Sequence, residues 1–488
     1  MPGMIFQEGE TKERPGVYVR IVSGTPLPGL DATRGRVAAV IRAPWGPLEV
    51  ATPIYGASDI DSTFGTAGQG TTDLLREVLL GNCRDLLAWR MNGTAANAGV
   101  VATASLNDMT AVTPIVGANI TAKYAGTKGN DVSISVQDDI VSPTTLRNLI
   151  VYNQTAQLEV WTFAKGAALP GEFQAAANVI GNNSNWINFA VANAGTNDKI
   201  MAVVSMKPLL GGTDPVPAAG DLSRALTAME TQDFGLIVLD TEQVADHGTL
   251  DAWIDKVRQG GKRVMGVIGE PSSVAFNTRL NDAALYNNEG LVYVANGFSH
   301  AALGVPNSTV VVEGAKAAGR TAGVIAATPL RRSVTNISLP DGLGIVGAMT
   351  DSQIKSMLRS GGLLFSIGAR KNVKIEQGLT TFTIPDTTRD AGWKKIRRTR
   401  TRDALIDNIA YAWDDLIGGV NNDEDGRKLL VGVGMGVITD MIGQGLLRSG
   451  TIAEDAGNPP TSDSAWFVCN VVDNDSAEKL YITFIFSA

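Results

Sequence analysis

Cysteine and histidine are almost missing from this chain, which holds two of each among 488 residues. Cys83 and Cys469 sit far apart, so no disulfide framework is indicated; both read as buried small hydrophobic residues in a chain folded under reducing conditions. His247 and His300 have neither each other nor a cysteine at metal-ligand spacing, so no zinc site is expected. Asp246 precedes His247, but neighbouring side chains diverge, and both histidines read as ordinary surface or core residues. Aromatic residues are scarce at 6%, and 41 basic residues are outnumbered by 49 acidic ones. The resulting net charge of −8 excludes a global attraction for nucleic acid. Long apolar runs are also lacking. The most apolar stretch, residues 429–447, is interrupted by Gly432, Gly434, Gly436, Gly443 and Gly445 and carries Asp440, so no transmembrane helix and no membrane insertion are expected. Met1 to Glu10 lacks the charged-then-apolar pattern of a signal peptide. These absences predict a protein made in the cytosol, which leaves it only by lysis or as part of a particle.

What is present is an ordinary globular balance, 44% hydrophobic and 18% charged, with 54 glycines, which fits two to four domains rich in turns. Residues 1–16 read as a polar extended arm, followed by a period-two strand at Val17 to Ile21 that Pro26 and Pro28 end. Val37 to Ile41 and Leu86 to Met91 read as buried strands flanking a helix that starts at Thr71 or Thr72. Residues 97–206 are poor in charge and alternate apolar with polar side chains between Asn/Gly turns, the pattern of an inserted β-rich region. After Gly211-Gly212 the chain alternates strands (Phe234 to Leu239, Arg263 to Ile268, Leu291 to Ala295) with helices opening at Asp221 and Thr249, which implies a parallel or mixed sheet covered by helices. Ala315 to Ala327 reads as a small-residue helix that completes the layer. Amphipathic spacing predicts a helix at Arg402 to Ile417 and a glycine-rich one at Val431 to Leu447, then strands at Trp466 to Val472 and Leu480 to Phe486.

Few residues invite catalytic chemistry. Asp240 ends an apolar strand, where α/β enzymes place catalytic groups, but it has no evident partner, and strand ends often carry Asp for turn chemistry. Gly432-x-Gly434-x-Gly436 lacks the strand–turn–helix setting of a dinucleotide fingerprint and reads as helix packing, and no GxxxxGK[ST] phosphate loop exists. No catalytic residue, cofactor or metal ligand is therefore expected. The basic run from Trp393 to Arg402 (Lys394, Lys395, Arg397, Arg398, Arg400, Arg402) is either a solvated face or a docking surface for an acidic neighbour. Asp414, Asp415, Asp423, Glu424 and Asp425 just downstream offer the matching negative patch on another copy. Both chain ends read as isolated strands. A long apolar edge strand is an aggregation hazard unless paired, so these strands either pair inside one subunit or add to the sheets of neighbours.

Several segments resemble one family, the tail sheath proteins of contractile-tailed phages and of phage-tail-like bacteriocins. Arg14-Pro15-Gly16-Val17-Tyr18 is similar to its N-terminal PGVY segment, and Leu86 to Arg90 to the strand before its inserted domain. Ala122 to Asp131 resembles its A-x-Y-P-G motif with Ala125 in place of proline, and Leu209 to Asp214 its L-x-G-G-x-D junction. Gly418 to Arg427 resembles a turn in which Gly419 replaces lysine, and Asp473 with Ala477 to Phe484 resembles the C-terminal D-x-x-E-K-x-Y-x-T strand. The resemblance implies a non-enzymatic, cofactor-free subunit that forms hexameric rings stacked helically around a tail tube. Terminal arms would interlock neighbours, and contraction would drive the tube through an envelope. Implied partners are further copies of itself, the tail tube protein, and the baseplate and tail terminator proteins. The implied place is the virion tail, assembled in the host cytoplasm.

The expected fold is a multidomain α+β / α/β chain. It has an N-terminal arm (1–28), a central mixed sheet with flanking helices (29–96 plus 207–353), an inserted outward-facing mainly-β domain (97–206), and a C-terminal α+β polymerisation domain (354–488) completed by exchanged terminal strands. Inter-subunit strand pairing is expected at Val17, Tyr18, Val19, Arg20 and Ile21 and at Leu480, Tyr481, Ile482, Thr483 and Phe484. Tube or neighbour contact is expected at Lys394, Lys395, Arg397, Arg398, Arg400, Arg402, Asp414 and Asp415. Three other readings stay open: the sheath of a bacteriocin or injection system, an α/β enzyme using Asp240, and a carbohydrate-binding insert presenting Trp161 and Trp186.

Overall fold

Alternation along each strand decides which side of the central sheet a residue faces. In Arg36–Ile41, Val37, Ala39 and Ile41 enter one hydrophobic core while Ala38 and Val40 enter another. The structure, a computed structural model, describes residues 4–5, 18–19, 35–65, 72–110, 112–166, 171–193, 199–302 and 308–486. Its largest sheet has seven strands in the order Gly362–Leu363, Leu291–Val294, Met265–Gly269, Leu236–Leu239, Arg36–Ile41, Asp85–Arg90, Ala51–Ile54. All neighbours run parallel except the last, antiparallel pair. That edge strand carries Pro53, which lacks a backbone donor and so discourages further pairing there.

Both faces of the sheet are covered, as a parallel sheet requires. One face packs against Thr72–Leu80 and the buried helix Ala315–Ala327, the other against Ala219–Met229 and Val244–Gln259. The small residues of Ala315–Ala327 explain its depth: a Cβ on Gly323 would lie 2.2 Å from the Val78 carbonyl oxygen, so only glycine allows the two helices this close. The helix expected to open at Thr249 begins at Val244 instead. Thr249 is satisfied inside it by donating its hydroxyl to the Ala245 carbonyl at 3.0 Å.

The β-rich segment forms a four-stranded and a three-stranded sheet around a separate core that contains Ile134, Leu149, Phe163 and Phe173 and also takes Trp45 from outside the segment. Two sequence motifs far apart in the chain meet where this segment joins the body. Asn130 donates its side-chain amide to the Gly212 carbonyl at 2.9 Å and accepts from the Gly212 N–H at 2.9 Å. Asp214 accepts from the Thr127 N–H at 2.8 Å and its hydroxyl at 2.9 Å. Beside them Arg90, fully buried, donates to the carbonyls of Ala43 (2.7 Å), Gly46 (2.7 Å) and Ala125 (2.8 Å). Burial pulls its guanidinium down to about 10, yet three carbonyl acceptors hold it in place.

The C-terminal region is organised by the helix Ile396–Asp414. It starts before the Arg402 expected from the pattern, because Ile396, Arg397, Thr399 and Arg400 are buried against the body rather than laid out along a surface. Its first half is tied to the body by Asp403, which accepts two bonds of 2.9 Å from Arg258. Its second half packs Leu405, Ile409 and Trp413 onto Glu424–Gly443 and onto a two-stranded antiparallel hairpin, Leu447–Glu454 with Phe467–Asp473. Sequence reasoning missed the first strand of that hairpin and extended the preceding helix to Leu447. Cys469, expected in a core, is exposed on the hairpin, while Cys83 is half-buried with its thiol pushed up to about 12 by burial.

Replacing Arg90 by leucine would leave the Ala43, Gly46 and Ala125 carbonyls buried without a donor. Each unsatisfied group costs about 1–3 kcal/mol, so a loss of at least ~3 kcal/mol is expected in urea unfolding of Arg90→Leu.

Candidate assembly interface at the C-terminal arm

The basic run is engaged within the chain. Arg398 makes a two-pronged contact with Asp473 (2.7 and 2.8 Å), and Arg402 reaches the same carboxylate at 3.2 and 3.3 Å while binding Asp390 at 2.6 Å. Lys395 pairs with Asp475 at 2.7 Å, Arg397 donates to the Ser476 hydroxyl at 2.9 Å, Arg400 to the Thr328 carbonyl at 2.8 Å, and Lys394 to the Arg359 carbonyl at 3.1 Å. Within one chain the run is therefore not a freely solvated face. Helical spacing places Arg398 and Arg402 one turn apart beneath Asp473, and within the chain they pair with Asp473 and Asp390 while Lys395 pairs with Asp475. Asp414 and Asp415 stay exposed beyond the buried half of the helix.

This cluster bolts down the chain just after the hairpin. Asn474 adds bonds from its side chain to the Gly445 and Leu447 carbonyls at 3.0 and 3.2 Å. Glu478 accepts from the hydroxyls of Thr335 (3.0 Å) and Ser333 (3.3 Å) and from the Gln377 amide (3.0 Å), and pairs with Lys395 at 3.3 Å. Burial pushes the Asp473 carboxyl up, but the hydrogen bonds and charges of Arg398 and Arg402 outweigh that and hold it below the usual carboxylate range.

Past Glu478 the chain changes character. Leu480, Tyr481, Ile482, Phe484, Ile485 and Phe486 are 74–92% exposed, and residues 480–486 have no strand partner among the described residues. The hairpin beside the arm's root is likewise open, since neither of its strands has a second partner among the described residues. The turn Gly418 to Arg427 buttresses it: Asp423 caps the following helix through the Gly426 N–H (2.8 Å), Asn422 donates to the Thr461 carbonyl (2.6 Å), and Arg427 pairs with Glu454 (2.7 Å). At the other end of the chain, Tyr18–Val19 pairs in parallel with Met4–Ile5; Val17, Arg20 and Ile21 lie outside the described residues.

The other sequence hints prove to be architecture. Asp240 is buried and bound to the backbone N–H of Arg42 and to its guanidinium (2.9 Å), an end-of-strand latch whose carboxyl burial pushes up to about 6. His247 is buried against the Thr241 carbonyl, and His300 is buried against Glu77, which also holds Arg320. Trp186 stacks on the buried Trp45 at 5.5 Å, and the Trp161 indole N–H donates to Glu159 at 2.9 Å. Within the helix Glu424–Gly443, Gly434 packs against Ile452 and Trp413, whereas Gly432 and Gly436 face open space.

Because Asp473 titrates below its unfolded value, its contribution is present above pH ~4 and lost as pH falls through the folded value. Asp473→Asn is expected to cost roughly 2 kcal/mol at pH 7, from charge-assisted hydrogen bonds lost by two arginines, and to flatten the acid limb of stability. Urea midpoints between pH 3 and 7 measure both effects.

Comparison with known proteins fits this geometry. Residues 216–381 match the family described as phage tail sheath protein central domain. The phage-like element PBSX protein XkdK of Bacillus subtilis (strain 168) is 24% identical over 493 residues, covering 99% of each chain. The crystal structure of the sheath tail protein from Desulfitobacterium hafniense superposes with a TM-score of 0.70 at 19% identity, over 94% of this chain and all of that one. The helical sheath of the anti-feeding prophage in its contracted state superposes at 0.54 and 11% identity, over 97% and 99%. The central region thus matches the phage tail sheath central-domain family, a phage-element relative aligns with the chain end to end, and the fold is that of solved sheath tail proteins.

Proposed function

We propose that this chain is the sheath subunit of a contractile phage tail or related injection particle. Copies polymerise as stacked hexameric rings around a tail tube, linked by strand exchange, and contract to drive the tube through a cell envelope. The observation that carries the reading is the arm at 480–486. Six large apolar side chains stand in solvent beside a hairpin with open edges. Covering them is worth about 1.5–3 kcal/mol per side chain, on the order of 10 kcal/mol in all before association costs. Backbone pairing with another copy's hairpin would satisfy the arm's N–H and C=O groups together with its side chains. A heterologous contact of this kind, arm to hairpin, does not close on itself and so builds extended arrays.

The division expected from the sequence is retained in this proposal: arm 1–28, body 29–96 plus 207–353, outward insert 97–206 and polymerising region 354–488. The separate cores of the seven-stranded sheet and the β-rich segment support it. Strand pairing through Val17 to Ile21 belongs to the same proposal, as does contact with tube, baseplate and terminator proteins. For the tube or neighbour contact, the exposed Asp414 and Asp415 are the better candidates, since the arginines are held by the chain itself. The product is a particle component, assembled in the host cytoplasm.

Deleting residues 479–488 keeps Glu478 and the cores and removes the arm. The truncated protein is expected to fold with an unchanged melting temperature and to form no tubes by negative-stain electron microscopy under conditions where the full chain does. Tubes formed at full-length yield by the truncated protein would sink the strand exchange.

A further inference from the structure

We infer that Glu478 is the pivot of the C-terminal arm, a positioning residue that fixes where the free strand leaves the body and thereby sets the slack between linked copies, an inference that rests on the strand exchange proposed above. Its side chain is only 9% exposed, although Ala477 and Lys479 on either side of it are exposed. It accepts three hydrogen bonds and one ion pair from three separate places. Thr335 and Ser333 follow the buried helix Ala315–Ala327, Gln377 follows the strand Val373–Ile375, and Lys395 stands at the start of Ile396–Asp414. An ionised carboxylate has about four acceptor sites, and both oxygens of this one are engaged. Thr335 is held in turn, because its hydroxyl oxygen accepts from the Gly378 N–H at 3.0 Å. The clamp therefore ties the arm's root to the body, not to the hairpin that precedes it in sequence.

Glu478 is also the last hold. Asp473, Asp475 and Ser476 are bonded to Arg398, Lys395 and Arg397, and Asn474 to the hairpin root at Gly445 and Leu447, whereas residues 479–486 make no hydrogen bond to the other described residues. The first pairing residue, Leu480, thus lies two residues from a fixed point, about 7 Å of extended chain. Without Glu478 the nearest hold is Ser476, and the tether doubles to roughly 14 Å. Neighbouring strands lie only ~4.8 Å apart, so slack of that size is large against the register an exchanged strand must keep.

Spin labels report the pivot directly in the unassembled chain. With Cys83 and Cys469 replaced by serine, a label at Ala477→Cys is expected to be immobilised and one at Leu480→Cys mobile. Glu478→Ala should make the label at 477 several-fold more mobile, while a control label at Thr451→Cys and the melting temperature stay unchanged. Glu478→Gln keeps an acceptor for Thr335 and Ser333 and should restore much of the immobilisation, which general loosening would not allow. Tubes of Glu478→Ala should still form, with a broader spread of ring spacing. A label at 477 that is mobile in the unsubstituted protein, or immobile in Glu478→Ala, would overturn the pivot; so would tubes as regular as those of the parent. Should the 479–488 deletion still assemble, strand exchange fails, yet the labels still decide whether Glu478 holds the root.

Discussion

An extended apolar segment in water is driven to bury its side chains and to pair its open edge, and that constraint organises the C-terminal third of the molecule. Residues 480–486 put six large apolar side chains into solvent, next to a hairpin whose outer edges are free among the described residues. The rest of the region holds this unstable element at a defined place. Arg398 and Arg402 grip Asp473, Lys395 and Arg397 grip the next turn, and Glu478 closes the root. An acidic protein has placed its densest positive charge beneath the start of its arm, where charge-assisted hydrogen bonds give direction as well as stability.

The platform behind the arm is stiff for reasons that begin with residue size. Glycines in Ala315–Ala327 let it close onto Thr72–Leu80, and alternate strand residues feed two cores on opposite faces of the seven-stranded sheet. The helix Ile396–Asp414 then runs without interruption from the body into the small C-terminal core, joined to the body by the buried Arg258–Asp403 pair. In the sheath proposed above, a subunit built this way would transmit force through packed interfaces and leave flexibility to short tethers. That is what a machine working by rigid-body rearrangement between two packings requires.

Much of this was legible in the sequence, and unevenly. Continuous apolar runs gave the parallel strands, and the small-residue pattern marked Ala315–Ala327 with its bounds. Motifs that looked like independent signatures, Ala122 to Asp131 and Leu209 to Asp214, are hydrogen-bonded halves of one junction, which no local pattern reveals. The strand Leu447–Glu454 escaped notice because Ser449 and Gly450 interrupt any period-two apolar pattern; its pairing with Phe467–Asp473 supplies what its propensity lacks. The internal partners of the basic run were hidden for a related reason. Charge in sequence says nothing of where the opposite charge returns, and here it returns from Asp473 and Asp475, more than seventy residues on.

The most direct test is a cryo-electron microscopy map of the assembled particle at side-chain resolution, read at residues 480–486. Strand exchange requires that segment to run as a strand against the Leu447–Glu454 or Phe467–Asp473 edge of another copy, leaving its own Glu478 still in contact with Thr335 and Gln377. Density folding the segment back onto its own subunit, with rings joined through other surfaces, would contradict the account.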